Sequence, residues 1–160
     1  MIKILFICLG NICRSPMAEY IMKDMVADPI KYGIDRETTA RIKNMDFHIE
    51  SAATSTEEIG NDIYPPAKAK LREKGIAFDR RRARKMTIKE YQEYDYIVYM
   101  EDSNLRGILS ITGDGAKAYK LLEFAGIDRG IADPWYTGDF ELTYNDIVTG
   151  CKALLKKLSE

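Results

Sequence analysis

Apolar positions open the chain in a block. Ile2 to Cys8 reads I-K-I-L-F-I-C, interrupted only by Lys3, and such a β-branched run suits a strand buried in a parallel sheet. Gly10 and Asn11 then mark a loop. Ser15-Pro16 predicts a helix start, with Ser15 as N-cap and Pro16 in the first turn, and Ala18, Ile21, Met22 and Met25 supply the apolar face behind it. Glu19 falls one residue late for a capping box, so Ser15 and Pro16 alone carry that expected cap. Further along, the pattern predicts strands over Phe47 to Ala52, Tyr94 to Met100 and Tyr119 to Leu122. Helices are expected over Ala67 to Lys74, closed by Gly75, and near Asn104 to Ile111. A last amphipathic helix is expected over Tyr144 to Leu158, with Ile147, Val148, Cys151, Leu154, Leu155 and Leu158 near one face. Strands alternating with helices give an α/β fold: a four-stranded parallel sheet with helices on both faces. Ligands of such sheets sit beyond the C-terminal ends of the strands, which directs attention to the loop after the first one.

Composition narrows the class without naming a chemistry. The 160 residues suffice for one domain with one core, spanning residues 1–160, and no repeat, low-complexity tract or linker divides them. Lys plus Arg number 24 against 25 Asp plus Glu, a balance that calls for no nucleic-acid or membrane partner. The opening apolar run is too short for a signal-peptide core and no small-residue cleavage site follows it, and no later run is long enough to span a bilayer. Three cysteines, an odd number, do not suit a secreted disulfide scaffold, so a cytoplasmic protein, and a monomer, is expected.

The first loop carries the chemistry: Cys8-Leu9-Gly10-Asn11-Ile12-Cys13-Arg14-Ser15. A loop closing onto a helix N-terminus presents unpaired backbone N–H groups and the positive end of the helix dipole. Gly10 lets the chain curl and Asn11 tolerates left-handed geometry, which together make an anion nest of phosphate size. The same field stabilises a thiolate on Cys8 as nucleophile, and Arg14 adds a planar fork for two phosphate oxygens. Ser15 is placed to donate to the thiolate. Against this stands the plainer possibility that Cys8 is a small buried residue ending a strand and Arg14 a surface charge. Asp133-Pro134 is by itself a common turn starter, and Trp135 and Tyr136 fit core or rim packing.

The stretch C-L-G-N-I-C-R-S-P-M-A-E, Cys8 to Glu19, resembles the signature of the low-molecular-weight protein tyrosine phosphatases. The resemblance continues at Ser51 to Ser55, Ala83 to Thr87, Tyr94 to Leu105 and Asp133 to Tyr136, nearly the whole chain. It implies a phosphomonoesterase working without metal or other cofactor on tyrosine-phosphorylated proteins. It also implies that Asp133 is the general acid and that Trp135 and Tyr136 form an aromatic wall of the cleft beside Ile12. Cys13, otherwise a packing residue beneath the loop, becomes by the same resemblance a redox partner able to form a reversible disulfide with Cys8. Cys151 is expected to be a buried helix residue, and His48, the only histidine, to have a structural role or none.

Two departures stand out. Many members carry an aromatic residue after the S-A-x-T-S stretch, where this chain has Thr56-Glu57-Glu58, with Glu57 standing in the aromatic's place. Some carry a histidine supporting the phosphate loop where this chain runs Arg80-Arg81-Arg82-Ala83-Arg84-Lys85, expected to be either a solvated loop or a steering patch. Rival readings fit less well. Protein-arginine phosphatases tend to have Thr where Ile12 stands. Thioredoxin-coupled arsenate reductases need further cysteines, and residues 75–100 hold none. Phosphocysteine carriers and inactive phosphotyrosine-binding modules lack the pairing of Arg14 with Asp133.

Overall fold

A computed structural model describes residues 1–160. Its centre is a four-stranded sheet in the order β2-β1-β3-β4, every pair parallel. The strands are β1 (Ile2–Cys8), β2 (Phe47–Ala53), β3 (Tyr96–Tyr99) and β4 (Ala118–Lys120). The long helices are α1 (Arg14–Ala27), α2 (Arg36–Lys43), α3 (Pro65–Glu73), α5 (Asp102–Thr112) and α7 (Phe140–Leu158), and α4 (Ile88–Glu93) and α6 (Pro134–Thr137) are short.

The alternation of β1 sorts the two faces. Ile4, Phe6 and Cys8 point into the larger apolar cluster with Met17, Ile21 and Met25 of α1, Leu71 of α3 and Ile147, Cys151 and Leu154 of α7. Leu5 and Ile7 point the other way, into a smaller cluster with Tyr91 of α4 and Ile108 of α5. Both faces are therefore covered, and β1, buried on each side, reads as a continuous apolar run for that reason. Helix α1 is buried over its first two and a half turns, Arg14 to Met22, which leaves the Arg14 and Glu19 head groups almost no route to water.

Several boundaries differ from the sequence expectation, each for a local reason. Ser15 is not the N-cap of α1. Cys13 occupies that position without a side-chain cap bond, because the Ser15 hydroxyl is engaged with Cys8 instead. Strand β3 starts two residues late: the Tyr94 amide ends α4 on Glu90 O and its hydroxyl reaches Glu50. Strand β4 is short because Leu121–Ala125 turn into a 3-10 helix. Helix α7 begins at Phe140, capped by the Asp139 carboxylate on Leu142 N at 2.9 Å. Helices α2 and α4 were not anticipated, although Asp35 caps the first and a Thr87–Glu90 capping box opens the second. His48 lies within β2, with Nε2 3.3 Å from Glu50 Oε2. No helix is long and apolar enough to cross a membrane.

Candidate active site

The C-terminal end of β1 runs into a loop that closes on the N-terminus of α1, and a cleft of about 240 Å³ opens over it. Cys8, Leu9, Gly10, Ile12, Cys13 and Arg14 line its floor, Glu57 and Glu58 one side, and Asp133, Trp135 and Tyr136 another. Cys8 Sγ sits 3.3 Å from the Asn11 N–H and 3.0 Å from Ser15 Oγ. Asn11 Nδ2 donates to Ser15 Oγ at 2.8 Å, so the serine's own proton is free to point at the sulfur. The backbone N–H groups of Leu9, Gly10, Ile12, Cys13, Arg14 and Ser15 donate to no protein atom. Six unpaired donors in one loop that closes on a helix N-terminus suit an oxyanion or a phosphate.

Two loop residues serve from behind rather than in the cleft. Asn11 and Ser15 are fully buried. Asn11 is held left-handed at φ 60°, and its amide donates to Ser15 and, at 3.0 Å, to Ser51 Oγ, which in turn donates to Glu19 Oε1 at 2.6 Å. Gly10 is confined by Glu58: a Cβ there would lie 3.2 Å from the Glu58 Cγ.

Arg14 is 1% exposed, so its charge needs internal partners. Nη1 donates to Glu101 Oε2 at 2.7 Å and to Ile131 O at 2.9 Å, while Nη2 reaches Asp133 Oδ2 at 3.4 Å. Burial pushes the Glu101 carboxyl up, but the Ser103 hydroxyl and the Arg14 guanidinium outweigh it and leave it below the ordinary carboxylate value. Asp133 caps α6 through Trp135 N at 3.1 Å, and the loop before it is pinned by Ile131 N on Met100 O at 2.9 Å. Arg129 clasps Asp146 of α7 at 2.8 and 2.9 Å, so the acid's loop is anchored on both sides. Trp135 is half exposed and leans on Tyr64 at 4.6 Å between ring centroids, while Tyr136 is 80% exposed at the rim.

Cys13 is buried at the floor, and that burial, reinforced by the nearby Cys8 and Asp133, pushes its thiol up. All three cysteines are free, and Cys151 is fully buried in α7. Glu57 and Glu58 belong to no ion pair. The basic run is split: Arg80, Arg82 and Lys85 are exposed, whereas Arg81 and Arg84 turn inward, Arg81 onto Asn11 and Arg84 onto Glu90. It is therefore neither wholly solvated nor wholly a steering surface.

Cys8, Leu9, Gly10, Ile12, Cys13, Arg14, Glu57, Asp133, Trp135 and Tyr136 are thus brought to one cleft, with Asn11 and Ser15 buried behind it, whereas His48 and Cys151 lie elsewhere. Sequence reasoning missed Glu101, Ser51, Glu19 and Tyr64. Glu101 follows the C-terminal end of β3, where ligand-facing groups of parallel sheets gather, and that position was the available signal. The family model described as low molecular weight phosphotyrosine protein phosphatase matches residues 3–160. YfkJ of Bacillus subtilis, a low molecular weight protein-tyrosine-phosphatase, is 36% identical over 165 residues, covering 100% of this chain and 97% of that relative. Its crystal structure superposes with a TM-score of 0.85 at 34% identity, covering 99% of this chain and 94% of the other. The low molecular weight protein tyrosine phosphatase SP-PTP of Streptococcus pyogenes gives 0.81 at 35% identity, covering 99% and 93%. The Drosophila arginine phosphatase DARP gives 0.83 at 26% identity, covering 99% of each chain. On the extent of that match and the geometry of its first loop, the chain belongs to the low molecular weight phosphotyrosine protein phosphatase family, a family of hydrolases.

Proposed function

We propose that residues 1–160 act as one phosphatase domain that hydrolyses tyrosine-phosphorylated proteins through a cysteinyl-phosphate. The observation that carries this reading is a loop of six unpaired amides following Cys8, with Cys8, Arg14 and Asp133 lining the same cleft. Cys8 thiolate attacks phosphorus in line. The S–P bond forms as the P–O bond to tyrosine breaks, and Asp133 gives its proton to the departing phenolate. Loop amides and Arg14 take the charge on the equatorial oxygens, a task that metal ions perform in many phosphoryl-transfer sites. Water then attacks the phosphocysteine, Asp133 accepts its proton, and the thiolate leaves toward the Ser15 hydroxyl and the Asn11 amide.

Substrate choice follows from the rim. Ile12 is an apolar contact beside the nucleophile, and Trp135 backed by Tyr64 offers a flat surface to a phenyl ring. The apolar, β-branched Ile12 suits a phenyl ring better than a charged guanidinium, which favours phosphotyrosine over phosphoarginine. Glu57 and Glu58, in place of an aromatic gate, disfavour acidic residues flanking the phosphotyrosine. Under oxidation Cys13 closes a disulfide with Cys8 and spares it from irreversible oxidation. A monomer in the cytoplasm, with neither nucleic acid nor membrane as partner, completes the reading. The test is hydrolysis of phosphotyrosine and phosphoarginine peptides of one sequence, in excess EDTA, by parent and Cys8→Ser. Phosphotyrosine preference abolished in the variant supports the reading. A phosphoarginine preference overturns the substrate, and an active Cys8→Ser overturns the mechanism.

A further inference from the structure

The phosphate loop keeps a conformation that needs outside support. Asn11 is the only residue other than glycine with a positive φ, a state disfavoured for any residue carrying a Cβ. Its amide nitrogen is already committed to Ser15 and Ser51. The acceptors of the same residue are taken by Arg81: Nη1 donates to Asn11 O at 3.1 Å, and Nη2 donates to Asn11 Oδ1. Arg84 N adds a bond to Oδ1 at 3.3 Å. One guanidinium thus grips the main-chain carbonyl and the side-chain amide of a single residue.

The consequence lies in peptide geometry. The carbonyl of Asn11 and the N–H of Ile12 belong to one planar trans unit and point in opposite directions. Drawing the carbonyl outward onto Arg81 aims the Ile12 N–H inward, where it is one of the unpaired donors. Arg81 is itself fixed on both sides. Its N–H donates to Asp62 Oδ1 at 3.1 Å, Ala83 N donates to Asn61 O at 2.7 Å, and Ala53 N donates to Arg84 O at 2.7 Å. Its neighbours Arg80 and Arg82 are exposed, and their side chains bond to no other group.

We propose that Arg81 is a positioning residue that locks the Asn11–Ile12 peptide in its anion-binding orientation and so sets the affinity of the loop for a phosphoryl group. This rests on reading the loop as a phosphate site. The test measures inorganic phosphate binding to the Cys8→Ser protein by calorimetry, which needs no turnover, and kcat/KM for an aryl phosphate in the Cys8 protein. Arg81→Met is expected to weaken phosphate and lower kcat/KM by about tenfold or more, with unchanged far-ultraviolet circular dichroism. Arg81→Lys, which keeps the charge but cannot span both acceptors, restores only part of this, and Arg82→Ala stays within about twofold. Because the effect runs through Asn11, Arg81→Met adds less than about threefold in an Asn11→Ala background. The proposal is overturned if Arg81→Met binds phosphate as the parent does, or if its loss adds fully to that of Asn11→Ala. Full activity of Arg81→Lys, with a deficit in Arg81→Met that vanishes in high salt, overturns it in favour of a steering charge. If Arg81→Met does not fold, Arg81→Lys decides, since parental phosphate affinity there is incompatible with a two-acceptor clamp. Failure of the parent to hydrolyse aryl phosphates would overturn the proposed function and leave the phosphate-binding comparison standing.

Discussion

Replacing Asp133 with asparagine removes both of its proton transfers while keeping its cap on α6. Its Oδ1 caps α6 on Trp135 N at 3.1 Å, and asparagine keeps that acceptor. Its Oδ2 meets Arg14 Nη2 at 3.4 Å, the longest of the three contacts that hold the guanidinium. Arg14 retains the shorter bonds to Glu101 and Ile131, so its orientation survives. Proton delivery is a large quantity: general acid catalysis contributes about 10²–10⁴-fold, roughly 2.7–5.4 kcal/mol of barrier. Asp133→Asn is therefore expected to lower kcat/KM by about 10²–10⁴-fold for a phosphotyrosine peptide, whose phenolate leaves poorly. With p-nitrophenyl phosphate, whose leaving group needs little protonation, the loss should be at least about tenfold smaller. Steady-state kinetics on both substrates measure the difference. Equal losses on the two, or a loss under about tenfold on phosphotyrosine, would assign Asp133 to packing and refute its role as proton donor.

Three further outcomes test other parts of the account. Glu101→Gln replaces a charge-assisted bond to the buried Arg14 with a neutral one and should cost about 1–2 kcal/mol, read as a 5–30-fold drop in kcat/KM with weaker inhibition by phosphate. Gly150→Ala improves helix propensity by about 1 kcal/mol, yet its Cβ would lie 2.5 Å from Leu121 Cγ and 3.1 Å from Leu121 O, so overpacking of about 1–3 kcal/mol wins and thermal denaturation should show a lower Tm. Burial raises the Asp62 carboxyl, but the bonds from Lys68 and from the Arg81 and Ile63 amides outweigh it and lower the group from its ordinary 3.8 to about 2. A group depressed on folding stabilises above its unfolded value and loses that contribution as pH falls through its folded value. The Tm difference between parent and Asp62→Asn should accordingly be constant above about pH 5 and shrink toward pH 2.

What the sequence disclosed depended on how far apart the cooperating residues lie. Cys8 through Ser15 are consecutive, so nucleophile, nest and clamp were readable as one unit, and β1 was readable because burial on both faces leaves an unbroken apolar run. Asp133 was ambiguous by its own residues and came into focus only through resemblance. The roles of the groups that orient the loop were not readable from their own residues: Ser51, Arg81 and Glu101 meet it from 40, 70 and 87 positions away. Arg81 sat inside a run of like charges whose members look alike in one dimension, and only the stitching of that segment to Asn61 and Ala53 decides which turn inward. The misplaced N-cap has the same origin, because the sulfur of Cys8 competes for the Ser15 hydroxyl. Helices α2 and α4 carried readable caps at Asp35 and at Thr87 with Glu90, but their apolar faces are too small to announce a helix.

The sulfur of Cys8 is where all of this chemistry converges, and its covalent state during turnover can be observed directly. Turnover of a phosphotyrosine peptide, stopped by rapid acid quench and followed by peptide mass spectrometry, should reveal one phosphoryl group on Cys8 and none on Cys13 or Cys151. Catalysis proceeding with Cys8 unphosphorylated at every quench time, or persisting after its alkylation, would contradict the account.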